Sequence, residues 1–276
     1  MDFLEGMWAF AVYDSENETL FLSRDRFAEK PLYYYQDENG GYFGSEIKFL
    51  KCLSGKSFSV NYRHLRRHIA HGYKALYKSE ETYFEDIREL KYAENLLITS
   101  SGRKAHQRYW TPRSKIDDNM SLADAIEGTK EALLNSVKIR LRADVPLAFC
   151  LSGGVDSAAI ASMAAKEYGA KVTTFSIIDS DERYNEEDNI MATIDDIGCE
   201  YHLISASQEE PLSRLKKLIE YHDAPIATIS YFVHSMISEK ISGNGFKVSF
   251  SGTSADELFT GYYDHFLLHL NEMRNT

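Results

Sequence analysis

The sequence has few cysteines and no long hydrophobic run, and each absence excludes a class of protein. Its three cysteines, Cys52, Cys150 and Cys199, lie far apart and form no Cys-X-X-Cys pair. We therefore expect free thiols in a reducing compartment and no structural zinc site. No apolar run approaches the roughly 20 residues that a bilayer-spanning helix needs. The N-terminus shows no basic segment followed by an apolar one, as a signal peptide would. These absences predict a cytoplasmic protein without a membrane partner.

The chain also lacks an excess of positive charge. It contains 31 Lys and Arg against 42 Asp and Glu, so its formal net charge is −11. An acidic surface disfavours nucleic acid as a main partner. Disorder is also disfavoured, because 43% hydrophobic and 13% aromatic residues are typical of a globular protein. The 276 residues suffice for one large domain or two medium ones.

The composition and the predicted secondary structure of the sequence change part-way along the chain. Up to about Tyr109 it is rich in aromatic residues and predicts antiparallel strands. We expect hairpins at residues 7–25 and 30–46, and further strands in NLLITS and AHQRYW. Short helices are expected at residues 47–52 and 62–71. Residues 111–119 are typical of a linker.

After Met120, short apolar strands alternate with helical patterns of ten or more residues. This alternation predicts a parallel sheet covered by helices on both faces. The first of these helices is expected to begin at Ser121, with Asp124 completing the cap. Its apolar residues share one predicted face, namely Leu122, Ile126, Leu133, Val137 and Leu141.

The stretch SGGVDS, residues 152–157, lies between the strand PLAFCL and a helical pattern. Ligands of an open α/β sheet bind outside the carboxyl ends of its strands. There Gly153 and Gly154 can adopt positive φ and let an anion approach the backbone, while loop N–H groups favour a polyphosphate. Asp156 would repel that phosphate unless a cation such as Mg²⁺ lies between them. The loop therefore predicts a polyphosphate together with a metal. The alternative is a glycine turn capped at the start of a helix.

SGGVDS resembles the pyrophosphate-binding loop of the N-type ATP pyrophosphatases. Within that group the chain resembles the glutamine-dependent asparagine synthetases over nearly its whole length. GMWAFAVYD, SRDRFAEKPLYYY and GSEIKFL are similar to the distal half of the family's glutaminase domain. SGTSADELFTGY is similar to a second signature, usually SGEGxDExFGGY. The resemblance implies an α/β fold in two parts. Residues 1–112 would be the distal part of an Ntn-hydrolase-type glutaminase sheet domain, and 113–276 a truncated parallel-sheet domain of the PP-loop ATP pyrophosphatase type.

The resemblance also implies a nucleotide site. The phosphates of ATP would be held by Leu151, Ser152, Gly153, Gly154, Val155, Asp156 and Ser157. Ile177 matches the residue whose backbone meets adenine, and Ser251 and Gly252 match a second stretch that lines the nucleotide. Asp256 matches an aspartate that works with the loop aspartate on Mg²⁺ and pyrophosphate. From the residues alone, Asp256 could equally be an acid favoured in the first turn of a helix.

The implied activity is the ATP-dependent amidation of a carboxylate. The carboxylate attacks the α-phosphorus of ATP, and ammonia derived from glutamine then displaces AMP. Aspartate is the family's acceptor, but Thr253 stands where asparagine synthetases carry a glutamate linked to the acyl intermediate. A hydroxyl cannot replace that charge, so another carboxylate such as a sugar acid stays open. A related enzyme acting on tRNA or a nucleotide, a non-catalytic remnant, and a homodimer also stay open.

The sequence departs from the family pattern in other places. The family's N-terminal cysteine nucleophile has no counterpart, because Asp2 follows Met1 and the first cysteine is Cys52. We therefore expect this chain alone not to hydrolyse glutamine. The family's later basic residues are also missing, and the sequence resembles a fragment cut at both ends. Ala28 stands where glycine is usual, a change that we expect to alter only a turn.

Overall fold

The computed structural model describes residues 1, 3–117, 119–179, 181–205 and 211–275. The chain divides into two compact units. The first consists of Met1–Ile116 and Leu212–Ile229, and the second of Asp117–Pro211 and Ser230–Thr276.

The first unit contains two antiparallel sheets. Its strands are β1 (Ala9–Asp14), β2 (Thr19–Arg24), β3 (Tyr33–Asp37), β4 (Gly40–Gly44), β5 (Arg88–Glu89), β6 (Glu94–Thr99) and β7 (Lys104–Arg108). One sheet has the order β1-β2-β6-β7 and the other the order β4-β3-β5. Both predicted hairpins are confirmed, because β1 pairs with β2 and β3 pairs with β4.

Two helices of the first unit lie where the sequence predicts them. They are α1 (Ile47–Ser54) and α2 (Tyr62–His71). Helix α1 buries Ile47 and Leu50, which pack with Ile87. Helix α2 begins after Asn61, whose side chain accepts the N–H of His64 at 3.0 Å and so satisfies one of the free donors of the first turn.

A buried carboxylate fixes the segment that follows β2. Asp25 is fully buried and accepts four backbone hydrogen bonds. The donors are the N–H groups of Trp8 at 3.2 Å and of Phe27, Glu29 and Lys30, each at 3.0 Å. Burying a charge is costly unless it is hydrogen-bonded, and bonds to a charged acceptor are the stronger kind. Asp25 therefore ties the turn after β2 to the segment before β1.

The turn held by Asp25 contains Ala28 in the left-handed region, with φ 57°. Its N–H donates to the carbonyl oxygen of Asp25 at 3.3 Å, and its own carbonyl oxygen accepts from the Arg24 guanidinium at 3.1 Å. The turn is thus formed with alanine in the place of the usual glycine. An L-residue in this conformation costs roughly 1–2 kcal/mol.

Asp25→Asn should destabilise the first unit by about 3 kcal/mol, because an amide nitrogen would face N–H donors and leave some of them without an acceptor. Denaturant unfolding followed by near-UV circular dichroism measures the change. The control is Asp14→Asn, since Asp14 accepts exposed turn N–H groups from Glu16 and Asn17. We expect the control to lose less than about 1 kcal/mol. Equal losses in the two variants would contradict the role given to Asp25.

The second unit is built around a parallel sheet. The elements that follow β7 in chain order are α3 (Leu122–Arg140), β8 (Leu147–Cys150), α4 (Val155–Ser162), β9 (Thr173–Ile178), α5 (Glu187–Ile197), β10 (Glu200–Ser205), α6 (Pro211–His222), α7 (Ser230–Gly243), β11 (Val248–Phe250), α8 (Ala255–Phe259) and α9 (Tyr263–Asn275). Of these, α6 lies in the first unit except for its first residue, and the others lie in the second. The sheet has the order β10-β9-β8-β11, and all its pairings are parallel. This confirms the predicted parallel sheet.

Helices pack on both faces of the parallel sheet. Adjacent residues of a strand point to opposite faces. On one face Phe149 packs with Val137, and on the other Ala148 and Phe175 pack with Ile241. The two central strands, β8 and β9, accordingly bury residues that point to either face.

In the part of the chain that the structure describes, no helix is long and apolar enough to cross a bilayer.

The predicted apolar face of helix α3 is buried over only part of its length. Ser121 caps the helix as predicted, because its side chain accepts the N–H of Asp124 at 3.1 Å. Val137 is buried, but Leu122 and Ile126 are 76% and 59% exposed. The first turns of the predicted face are therefore exposed, since periodicity identifies a face but does not set how much of it meets a neighbour.

Candidate functional site

A cavity of about 370 Å³ in the second unit lies at the carboxyl ends of β8, β9 and β11. The predicted site residues that line it are Leu151, Ser152, Gly154, Asp156, Ser157, Ile177, Ser251, Gly252, Thr253 and Asp256. Gly153 and Val155 are not among its walls, and the Val155 side chain is 79% exposed. Residues from three separate stretches of sequence thus meet at one edge of the sheet.

The register of the parallel strands brings these stretches together. Phe250 of β11 pairs with Phe149 of β8, and Cys150 of β8 pairs with Phe175 of β9. The Phe149 and Phe250 rings stack with their centroids 4.9 Å apart. The segments after β8 and β11 therefore leave the sheet side by side, and Ile177 lies two residues further along β9.

Gly252 is required because the segment after β11 touches the start of α4. A Cβ atom at this position would lie 2.9 Å from the backbone nitrogen of Ser157 and 3.1 Å from Cβ of Asp156. Gly261 has a similar role, since its Cβ would lie 2.7 Å from Cγ of Asp256. Close backbone approach is a common use of glycine. These two glycines let the elements that carry both acids pack closely.

Gly252→Ala should destabilise the second unit by about 2 kcal/mol, because the added methyl group can only be accommodated by a backbone shift. Denaturant unfolding measures the change. The matched control is Gly128→Ala in the interior of α3, where a Cβ would meet nothing within 4 Å. Replacing a helical glycine should stabilise by up to about 1 kcal/mol. A neutral or stabilising Gly252→Ala would contradict the close approach.

The loop of residues 152–157 is held by its own side chains. The buried Ser157 hydroxyl accepts the N–H of Ser152 at 3.0 Å and lies 2.9 Å from the Ser152 hydroxyl. Neither Gly153 nor Gly154 adopts positive φ, and Gly154 has φ −79°. The loop therefore forms without the positive φ that its glycines can adopt. Gly153 instead makes room for Glu186, because its Cβ would lie 2.5 Å from that of Glu186.

Two residues of the second signature adopt left-handed backbone conformations although neither is a glycine. Thr253 lines the cavity, and its hydroxyl lies 2.6 Å from the Ser251 hydroxyl. Ser254 and Thr260 stand where SGEGxDExFGGY has glycine, and both adopt positive φ, 79° and 60°. Glycine would occupy both of these left-handed positions without strain.

Sequence reasoning missed five residues that line the cavity: Cys150, Glu186, Val233, His234 and Ile237. Val233, His234 and Ile237 recur at helical spacing on α7, which identifies a common face but not what that face meets. Burial raises the pKa of the Cys150 thiol. The thiol is therefore protonated at neutral pH, and only a deprotonated thiolate would be a reactive nucleophile.

Asp156 and Asp256 are the candidate cation ligands of the cavity. Within the described residues there is no group of three or more His, Cys, Asp or Glu side chains that could hold a metal ion. Mg²⁺ does not need such a group, because it commonly binds one or two carboxylates and takes its other ligands from water and substrate phosphates. The donor set therefore fits a Mg²⁺ ion that binds together with a polyphosphate.

Two protein-family models match the chain. Residues 128–275 match asparagine synthase, and residues 1–110 match a glutamine amidotransferase domain. The chain belongs to the asparagine synthase family. The predicted family and the predicted α/β fold class are confirmed.

Curated relatives with this similarity are longer proteins. Glutamine-hydrolysing asparagine synthetase 1 of Bacillus subtilis is 28% identical over 267 residues, which are 94% of this chain and 40% of that protein. Amidase chry2 of Gibberella zeae is 29% identical over 277 residues, again 94% of this chain and 40% of that protein. The chain thus spans less than half the length of either relative. Among solved structures, an NH3-dependent NAD synthetase from Campylobacter jejuni has a TM-score of 0.33 and 17% identity, covering 52% of this chain and 61% of that chain.

Proposed function

We propose that the protein is an ATP-dependent amidotransferase of the asparagine synthase type, with ATP bound in the cavity of the second unit. The supporting observation is that the SGGVDS loop, the end of β9 and the segment after β11 line one cavity in a chain of this family. Residues 151–157 bind the phosphates, Ile177 meets adenine, and Ser251 and Gly252 line the nucleotide.

The reaction has two steps. A carboxylate oxygen of the acceptor attacks the α-phosphorus of ATP, the bond from that phosphorus to the bridging oxygen breaks, and pyrophosphate leaves. Ammonia then attacks the acyl carbon, the carbon–oxygen bond to AMP breaks, and the new amide loses a proton. Loop N–H groups and the hydroxyls of Ser152 and Ser157 orient the phosphates. Asp156 and Asp256 would hold a Mg²⁺ ion, which would neutralise charge on the polyphosphate when bound.

The same proposal assigns a different domain to each part of the chain. Residues 1–112 are the distal part of a glutamine amidotransferase domain, and residues 113–276 are the ATP pyrophosphatase domain. The match of residues 1–110 to an amidotransferase domain supports glutamine as the source of ammonia. A cytoplasmic location and a homodimer stay predictions.

Mg·ATP should raise the melting temperature of the wild-type chain, and Asp156→Ala should lose this effect. Ligand at a hundredfold excess over Kd stabilises by about 2.7 kcal/mol. Alanine keeps the Cβ that meets Gly252, so the unliganded melting temperature should change little. The control is Asp195→Ala, an exposed acid of α5 outside the cavity, which should respond to Mg·ATP like the wild type. Equal stabilisation of wild type and Asp156→Ala would refute the assignment.

The residue at position 253 favours an acceptor other than aspartate. Thr253 stands where the signature has a glutamate. It lines the cavity and forms a hydrogen bond with Ser251. Threonine offers one donor and two lone pairs but no charge. We propose that the acceptor is a larger carboxylate, such as a sugar acid.

Thr253→Glu should raise aspartate-dependent exchange of labelled pyrophosphate into ATP. One well-placed polar contact in a transition state contributes on the order of 10²–10³ in rate. Thr253→Gln controls for size without charge and should not produce the gain. A panel of uronic acids assayed in the same way identifies the preferred acceptor of the wild type. Wild-type exchange with aspartate near ~10 per second, a rate usual for enzymes, would exclude the larger acceptor.

A further inference from the structure

A donor of the phosphate loop is bound to a carboxylate of the chain itself. The N–H of Gly153 donates to Oε2 of Glu186 at 3.1 Å. Backbone N–H groups in such a loop are the donors that phosphate oxygens take. Glu186 therefore holds a hydrogen bond for which a bound polyphosphate would compete.

Packing holds Glu186 at this position. A Cβ atom on Gly153 would lie 2.5 Å from Cβ of Glu186 and 3.2 Å from Cβ of Asn189. Glu186 directly precedes α5, and its carbonyl oxygen accepts the N–H of Ile190 at 3.0 Å. Ile190 is itself buried in a cluster with Leu151, at the start of the loop. The backbone of Glu186 is thus fixed against the same core as the loop.

The side chain of Glu186 is directed away from its own helix. It stands at the N-cap position of α5 but makes no capping hydrogen bond there. Asn185 instead accepts the N–H of Glu187, at 2.9 Å. The Glu186 carboxylate reaches the loop and lines the cavity together with Asp156 and Asp256. Of these three acids, Glu186 is the one that accepts a hydrogen bond from the loop backbone.

We propose that Glu186 competes with polyphosphate for the loop and speeds the release of pyrophosphate. This inference rests on the proposed function. A phosphate oxygen and the Glu186 carboxylate need the same N–H, and their like charges repel. The carboxylate must leave Gly153 when the phosphates bind, and it takes back the N–H as pyrophosphate departs. A product held too tightly would limit turnover, because product release sets the rate of many enzymes.

Glu186→Gln tests the inference, since it keeps the size and one acceptor oxygen but removes the charge. Isothermal titration with inorganic pyrophosphate and Mg²⁺ should show about tenfold tighter binding by this variant. Stopped-flow displacement should show slower dissociation of pyrophosphate. The matched control is Glu187→Gln. It removes the same charge at the next residue, whose side chain lies outside the cavity. The control should stay within about twofold of the wild type.

Unchanged or weaker pyrophosphate binding by Glu186→Gln would overturn the inference. Weaker pyrophosphate binding by Glu186→Gln only in the presence of Mg²⁺ would also overturn the inference, because it would indicate that Glu186 is a cation ligand. Binding that Asp156→Ala abolishes but Glu186→Gln leaves unchanged contradicts the inference and keeps the proposed function. Failure of both the wild type and Glu186→Gln to bind either Mg·ATP or pyrophosphate contradicts both.

Discussion

The candidate site depends on the parallel pairing of β11 with β8. Strand β11 is only three residues long, yet its pairing and the stacking of Phe250 on Phe149 set the position of everything that follows it. Gly252 then meets the start of α4 without a side chain between them. Through these contacts Asp256, about a hundred residues after Asp156 in the chain, lines the same cavity. A short edge strand is a weak element by itself, so the packing of its aromatic residue and the glycine contact are needed to hold its register.

Three residues of this chain adopt left-handed backbone conformations at positions where the family patterns have glycine. Ala28, Ser254 and Thr260 all stand where the family patterns have glycine, and all three adopt positive φ. Tertiary contacts enforce these conformations, as when Asp25 gathers the N–H groups around Ala28. The left-handed conformation costs about 1–2 kcal/mol for each such residue, and the surrounding hydrogen bonds offset that cost. Loss of a glycine is thus not evidence that a turn has been lost.

The charge in the cavity is opposite to what a polyphosphate site needs at first sight. Asp156, Glu186 and Asp256 place three carboxylates around a loop whose donors favour anions. Under the proposed function, Asp156 and Asp256 would hold a divalent cation that lies between them and the phosphates, so that their charge no longer repels the nucleotide. The third acid, Glu186, accepts a loop N–H directly. The two proposals together make the affinity for polyphosphate a balance between one bridging cation and one competing carboxylate.

The sequence by itself determined the local elements and the chemistry-bearing loop. The hairpins, the helix caps and the parallel sheet could be predicted from hydrophobic periodicity, turn residues and apolar runs. Such patterns depend on residues that are close together in the chain. The pairing of loop and second signature at one sheet edge also followed, since parallel strands carry their carboxyl ends to the same edge. Only the tertiary structure decided that Gly153 faces Glu186, that α7 presents Val233 and Ile237 to the cavity, and that the first turns of α3 stay exposed. These features depend on contacts between residues distant in the chain, and a one-dimensional pattern shows which face is apolar but not what that face meets.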